Sequence, residues 1–260
     1  MQSSSLYIER NSGLHALHPL TKLALLGLCL VLAFALPDIR WLLAAFGLLL
    51  LPLAAWGRIL APFARSGFSI ILPFVISLAL IQGFFAGGDT ALLTLGRFAF
   101  TWEGLLAGLT VSARLLVALG GTLLLMLSTR PDHLMLALTE RGLPQALGYI
   151  VLTALQIFPR FQDRARVILE AQQARGLETQ VNLLRRLRLL VPLIGPLILA
   201  SIVDVEERAM ALEARAFSRP GQKTSLISLH DSGFQVLLRT GLLLAALALI
   251  VWRLLPLVRA

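Results

Sequence analysis

Long apolar runs separated by short polar joints fill the first half of the chain. From about Thr129 to Arg239 the pattern turns charged and amphipathic, and one last apolar run follows. The apolar blocks lie at approximately Leu23–Leu36, Trp41–Trp56, Phe68–Phe85, Gly104–Leu127 and Val236–Leu257. A helix needs about 20 residues to cross a bilayer, with a usual range of roughly 17–25, so the last three blocks predict spans and the first two are short. Only Pro37-Asp38-Ile39-Arg40 separates those two. They predict a helical hairpin that is tilted, partly buried in protein or lengthened by its flanks. The pattern predicts an all-α polytopic membrane protein of about five transmembrane helices: four within residues 1–128, a polar region over 129–232, and a last helix within 233–260.

In the polar region the apolar period becomes that of amphipathic helices. From Phe161, the residues Ala165, Ile168, Gln172 and Arg175 share one stripe, with Asp163, Arg166 and Glu170 opposite. Pro159 suits the first turn of this helix and Gly176 its end, which sets Arg175 at the tip. A second helix carries Ile198, Ile202, Val205, Ala209, Leu212 and Ala216 on one face, with Arg208 and Arg215 beside it. Pro196 suits its first turn, and Pro220-Gly221 stop the chain beyond Phe217. The interrupted stretch Leu189–Ile202, with Pro192, Gly195 and Pro196, reads as a connection lying against the membrane. Both helices end on Ala-Arg-small: Ala174-Arg175-Gly176 and Ala214-Arg215-Ala216. Between them, Arg185-Arg186-Leu187-Arg188 fits contact with anionic headgroups and a solvated helix face equally well.

Composition agrees with the block pattern. Apolar residues make up 57% of the chain and charged residues 14%, against roughly 45–50% and 25% in soluble domains. The net charge of +9 comes from arginines spread over loops and segment ends. With no aromatic-interleaved basic face, this fits the positive-inside bias and argues against nucleic acid. The same bias puts the polar region, Arg58, Arg65 and the amino terminus in the cytoplasm, and Arg40, Arg97 and the carboxy terminus outside a bacterial-type plasma (inner) membrane. The lone Cys29 excludes an intrachain disulfide and a Cys-based metal site. Ala33-Phe34-Ala35 resembles a signal-peptidase site, but the segment before it is long and another apolar block follows at once, so the first span is read as retained.

Arg114 falls near the middle of the fourth block, where an exposed charge costs about 2.5–3.5 kcal/mol. It reads as a structural residue that faces the protein interior, with backbone carbonyls or a loop carboxylate as partners. Gly104, Gly108, Gly120 and Gly121 in the same segment allow close helix approach. No catalytic constellation emerges: there is no P-loop, no G-x-S-x-G and no H-E-x-x-H. His15-Ala16-Leu17-His18 lacks the clustered carboxylates that would complete a metal site. Neither a cofactor, a metal nor a catalytic residue is predicted, and any ATP is bound by another subunit.

Several stretches, in order, resemble one family. Leu14-His15-Ala16-Leu17-His18-Pro19-Leu20-Thr21-Lys22 resembles the H-x-L-x-P-x-T-K lead-in to the first span of the transmembrane T subunits of energy-coupling factor (ECF) transporters, which include cobalt and nickel transport membrane subunits. Glu103-Gly104-Leu105 through Arg114 to Ser128-Thr129-Arg130-Pro131-Asp132-His133-Leu134 is similar to that family's fourth-span region. Leu143-Pro144, Phe158-Pro159 and Ala171-Gln172-Gln173-Ala174-Arg175-Gly176 resemble the run into its first Ala-Arg-Gly signature, and Glu213-Ala214-Arg215-Ala216 resembles the second. The resemblance implies long amphipathic cytoplasmic coupling helices whose signature arginines, Arg175 and Arg215, dock into two ABC-type ATPase subunits. Ala174, Gly176, Ala214 and Ala216 complete the signatures, and Arg208 and Glu213 are read as supporting contacts. It also implies a small membrane S subunit that binds a vitamin or a transition-metal ion. The second signature departs from the pattern, since Ala216 replaces a glycine and adopts positive φ less freely.

Three rival readings fit less well. A conventional ABC importer permease uses one E-A-A-x-x-x-G loop, which Glu170-Ala171 and Gly176 could open, but this chain has two arginine-tipped helices. An intramembrane enzyme would need clustered acids, histidines or serines near the interface, where only Asp89 and Glu103 occur. A channel would need polar rows along the spans.

Overall fold

The computed structural model describes residues 10, 12–95, 98–176, 183–217, 219, 229 and 231–259. They fall into two compact units, one drawn from Pro144–Ser228 and the other from Ser5–Leu143 with Leu229–Ala260. The larger unit is helical and contains one small hairpin. Its order is α1 (Gly13–Ala16), α2 (Pro19–Ala35), α3 (Ile39–Ala45), a π-helical turn (Phe46–Leu50), α4 (Leu51–Trp56), α5 (Leu60–Phe85), β1 (Ala91–Leu95), β2 (Phe98–Thr101), α6 (Trp102–Ser128), α7 (Pro131–Glu140) and α10 (Gly233–Arg259).

Four segments are long and apolar enough to cross a membrane: Ile39–Trp56, Leu60–Phe85, Trp102–Ser128 and Gly233–Leu255. The shorter apolar α2 accompanies them. The polytopic all-α architecture matches the sequence pattern, with two shifts. α5 starts well before Phe68, because Leu60 and the buried Phe63 continue its apolar period, so Arg65 lies inside the helix and not in a joint. Arg239 lies inside α10, buried and paired with Asp231 at 3.3 Å. Arg97 lies outside the described residues.

The core joins α2, α3, the π-helical turn, α4 and α6 through Cys29, Ala33, Leu42, Leu50, Ala54, Val117 and Leu124. Cys29 is fully buried and acts as a small hydrophobe. A Cβ added at Gly121 would lie 2.8 Å from the Cys29 Cβ, and one at Gly108 would lie 2.7 Å from the Leu78 carbonyl oxygen. Gly104 meets the Gln82 carbonyl in the same way. These glycines let α6 approach α2 and α5 backbone to side chain and backbone to backbone, as small residues do between membrane helices.

The hairpin was not foreseen in the sequence. β1 and β2 pair antiparallel, with Leu95 opposite Phe98 and an irregularity between Ala91 and Leu93. Phe100 packs over Gly83 and meets the Phe84 ring edge-on at 5.2 Å. Thr101 then caps α6 by accepting the Gly104 N–H at 3.3 Å.

At the opposite end of α6, polar groups converge. The buried Lys22 ammonium donates to the Ser128 carbonyl at 2.8 Å and to the His15 carbonyl at 3.4 Å. The His18 N–H donates to Gln235 Oε1 of α10 at 2.6 Å. Asp231 accepts from both Arg239 and Arg141. Burial holds the His18 imidazole below its usual value, and Arg239 and Arg141 add to this against the pull of Asp231 and Glu140.

Gly108→Ala should lower the melting temperature of the detergent-purified chain, because an added methyl at a packed backbone crossing costs about 1–3 kcal/mol. Gly27→Ala, where nothing lies within 4 Å, should leave it unchanged or raise it by the helix preference of alanine. Equal effects of the two variants in a thermal melt would contradict this packing.

Candidate functional site

The second unit is built on α8 (Gln145–Ala174) and α9 (Leu183–Ala214). Both are longer than the sequence predicts. α8 starts directly after Pro144, so Pro159 sits mid-helix and not in the first turn. α9 runs through Pro192, Gly195 and Pro196, where a connection followed by a helix from Pro196 was the expectation. A proline removes one i to i−4 bond. Pro192 and Pro196 are four apart, so both gaps fall on one side and the ladder continues on the other. The side chains of Arg185, Arg186 and Arg188, and the residues Pro220, Gly221 and His230, lie outside the description.

Arg164 of α8 clamps Asp204 of α9. Its two terminal nitrogens bond the two carboxylate oxygens at 2.7 and 3.1 Å, and one also donates to the Ala200 carbonyl at 3.1 Å. Those hydrogen bonds hold the Asp204 carboxyl below its ordinary value, with Arg164, Arg208 and Arg160 charges adding to the effect. The clamp is therefore intact above the unfolded carboxylate value and is lost as pH falls through the lowered folded one. Nothing local in the sequence signals this pairing. Tyr149 of α8 meets Phe217 beyond α9, ring centroids 5.2 Å apart. Going forward along α8 from Tyr149 to Arg164, the partner moves backward from Phe217 to Asp204, so the helices run antiparallel. Arg175 and Arg215 therefore stand at opposite ends of the pair. The helix from Tyr149 to Arg175 spans on the order of 40 Å at 1.5 Å per residue.

The two tips are built alike. At the end of α8 the Arg175 N–H donates to the Gln172 carbonyl and the Gly176 N–H to the Gln173 carbonyl, with Gly176 at φ +93°. At the end of α9 the Ala216 N–H donates to the Glu213 carbonyl at 2.9 Å and the Phe217 N–H to the Leu212 carbonyl at 2.9 Å. That is a Schellman stop, and it puts Ala216 at φ +55°. The alanine thus adopts the left-handed conformation that its side chain disfavours, at a cost of about 1 kcal/mol. In each case the arginine is the last residue before the reversal, where the helix carbonyls favour a cation.

Arg175, Arg215, Ala174, Gly176, Ala214, Ala216 and Glu213 are all exposed. Neither signature arginine has an ion-pair partner among the described residues. Arg208 is half-buried on the Asp204 side and not at the tip. On α8, Ala165, Ile168 and Gln172 of the predicted stripe are partly covered, Phe161 and Arg175 at its ends are exposed, and Asp163, Arg166 and Glu170 opposite are exposed. On α9, Ile198, Ile202 and Val205 stay about half exposed. In the other unit, Arg114 is half-buried in mid-α6, its Nε enclosed and without a hydrogen-bond partner among the described residues. The carbonyl or carboxylate partner foreseen for it is not among their hydrogen bonds.

Residues 10–226 match the family described as cobalt transport protein, CbiQ. Among similar proteins, the energy-coupling factor transporter transmembrane protein EcfT of Heliobacterium modesticaldum is 33% identical over 236 residues, covering 87% of this chain and 88% of the relative. The EcfT of Thermosediminibacter oceani is 29% identical over 255 residues, covering 91% and 93%. That of Listeria innocua is 29% identical over 221 residues, covering 81% and 83%.

Ala216→Gly should relieve the strained φ and raise hydrogen-exchange protection of the Ala216 and Phe217 amides by about fivefold, the equivalent of ~1 kcal/mol. Gly176→Ala should reduce protection at the end of α8 by a similar factor. Unchanged exchange in both variants would mean that these stops are not held as described.

Proposed function

The chain belongs to the CbiQ family of transmembrane subunits of energy-coupling factor transporters, and on that premise we propose how it couples ATP hydrolysis to import. Arg175 and Arg215 each anchor one ABC-type ATPase subunit. The α8–α9 pair carries ATPase movement to a small membrane S subunit, which binds a vitamin or a transition-metal ion and selects it. Hydrolysis lies on the ATPases, and this chain supplies no catalytic group. The membrane is the bacterial plasma (inner) membrane, with α8 and α9 in the cytoplasm.

The observation that carries this reading is the matched pair of exposed arginines on two helix stops at opposite ends of one antiparallel pair. A guanidinium held there can make bidentate, charge-assisted bonds to carboxylates in a partner's groove. Two remote tips suit two partner molecules. The half-exposed apolar residues of α8 and α9, among them Phe158, Phe161, Ile198 and Ile202, offer the S subunit an apolar surface. The Arg164–Asp204 clamp couples the helices, so that a push on one is felt by the other.

Arg175→Glu should abolish co-purification of one ATPase copy and, with Arg215→Glu, of both, while membrane insertion stays intact. Charge reversal opposite an acidic groove costs several kcal/mol, enough to lower retention by more than about a hundredfold. Unimpaired ATPase recruitment and substrate uptake by the double variant would refute the assignment.

A further inference from the structure

We propose that the polar end of the membrane unit, where α2 begins and α6 stops, is a binding site for a phosphate group. A cavity of about 180 Å³ opens there, well beyond the ~30 Å³ share of one water molecule. His15, His18, Lys22, Arg130 and His133 line it together with Ser128 and Thr129, and no carboxylate is in its wall among the described residues. Lys22 is 4% exposed, and no ion pair to it occurs among the described residues. Two of its three N–H bonds go to the Ser128 and His15 carbonyls, which leaves one.

Two hydroxyls in the same wall are buried and unsatisfied. Ser128 Oγ and Thr129 Oγ1 have no hydrogen-bond partner among the described residues, and their residues are 2% and 6% exposed. Buried polar atoms are seldom left unpaired, and an acceptor oxygen brought to this wall would satisfy both hydroxyls once they turn toward it. His18 adds a donor: its Nδ1 accepts the Leu20 N–H at 3.3 Å, a bond that assigns the proton to Nε2.

The nearby acids are already engaged. Asp132 is held by Arg130 at 3.1 and 2.8 Å, and Asp231 by Arg141 and Arg239. The described lining is rich in cations and donors, with Lys22, Arg130 and three imidazoles around one space at the end of the membrane unit, and it calls for a compact anion with several acceptor oxygens. A phosphate has that number of oxygens and that charge, whether it is a lipid headgroup diester or free orthophosphate. A metal cation would meet donors and positive charge. This inference does not depend on how the chain engages its ATPases.

The test uses the full-length chain, delipidated in an uncharged detergent and titrated with phosphatidylglycerol, diacylglycerol and inorganic phosphate by native mass spectrometry. Phosphatidylglycerol should bind at least about tenfold more tightly than diacylglycerol, which lacks the phosphate. Thr129→Val should weaken phosphatidylglycerol or phosphate binding by about tenfold, yet raise the melting temperature of the unliganded chain by removing an unsatisfied hydroxyl. Arg130→Gln with His133→Gln should also weaken binding by about tenfold or more. Retention of the lipid against millimolar phosphate identifies a headgroup site, and displacement with thermal stabilisation by phosphate identifies a free-anion site. Equal binding of phosphatidylglycerol and diacylglycerol without any phosphate effect would overturn the proposal. So would unaltered affinity in Thr129→Val.

Discussion

Every helix end in a membrane protein leaves carbonyls or amides that must find a partner before the chain can be buried, and in this molecule one ammonium group meets that demand at the most crowded junction. Lys22 lies at the start of α2 and donates into the last carbonyl of α6. A cation at that position opposes the negative end of a 27-residue helix. Because α6 is packed by α2, α3 and α5, the position of that carbonyl fixes the frame of the other spans. His18 extends the junction to α10 through Gln235, and Asp231 with its two arginines closes the same end.

The other unit is governed by a different constraint. Among the described residues, α8 and α9 leave many large apolar side chains exposed. Among the described residues, a bidentate ion pair, a hydrogen bond from Arg164 to the Ala200 carbonyl and the Tyr149–Phe217 contact tie them together. Ion pairs exposed to this degree contribute about 0–1 kcal/mol. On the proposed function, the ATPases and the S subunit would complete such a pair of helices.

Much of this was legible in the chain. Apolar block length gave the spans, and the i, i+3, i+4 rhythm gave the covered stripe of α8 around Ala165 and Ile168. The small residues of α6 gave its close crossings, and Ala-Arg-small gave both tips. The rest depended on contacts that no local window contains. Prolines suggested breaks at residues 159, 192 and 196, but long helices absorbed them because a missing amide bond is a local loss. The β-hairpin was hidden because short strands among glycines resemble a loop until Phe100 finds Gly83. Lys22 stood out only as the end of the lead-in to the first span, and only the fold brings Ser128, 106 residues away, to its ammonium. Ala216 was read as a departure that limits backbone freedom, yet the stop formed there nonetheless.

The antiparallel arrangement of α8 and α9 also bears on symmetry. If each tip holds one ATPase, as proposed, a single chain faces two partner molecules through two stops that are built alike but differ in sequence. Even if those partners were identical in sequence, they would become unequal on assembly. One would hold the tip that reverses through an unstrained glycine, the other the tip that reverses through a strained alanine. The two halves of the motor would then differ through nothing but the residue on which each helix turns back.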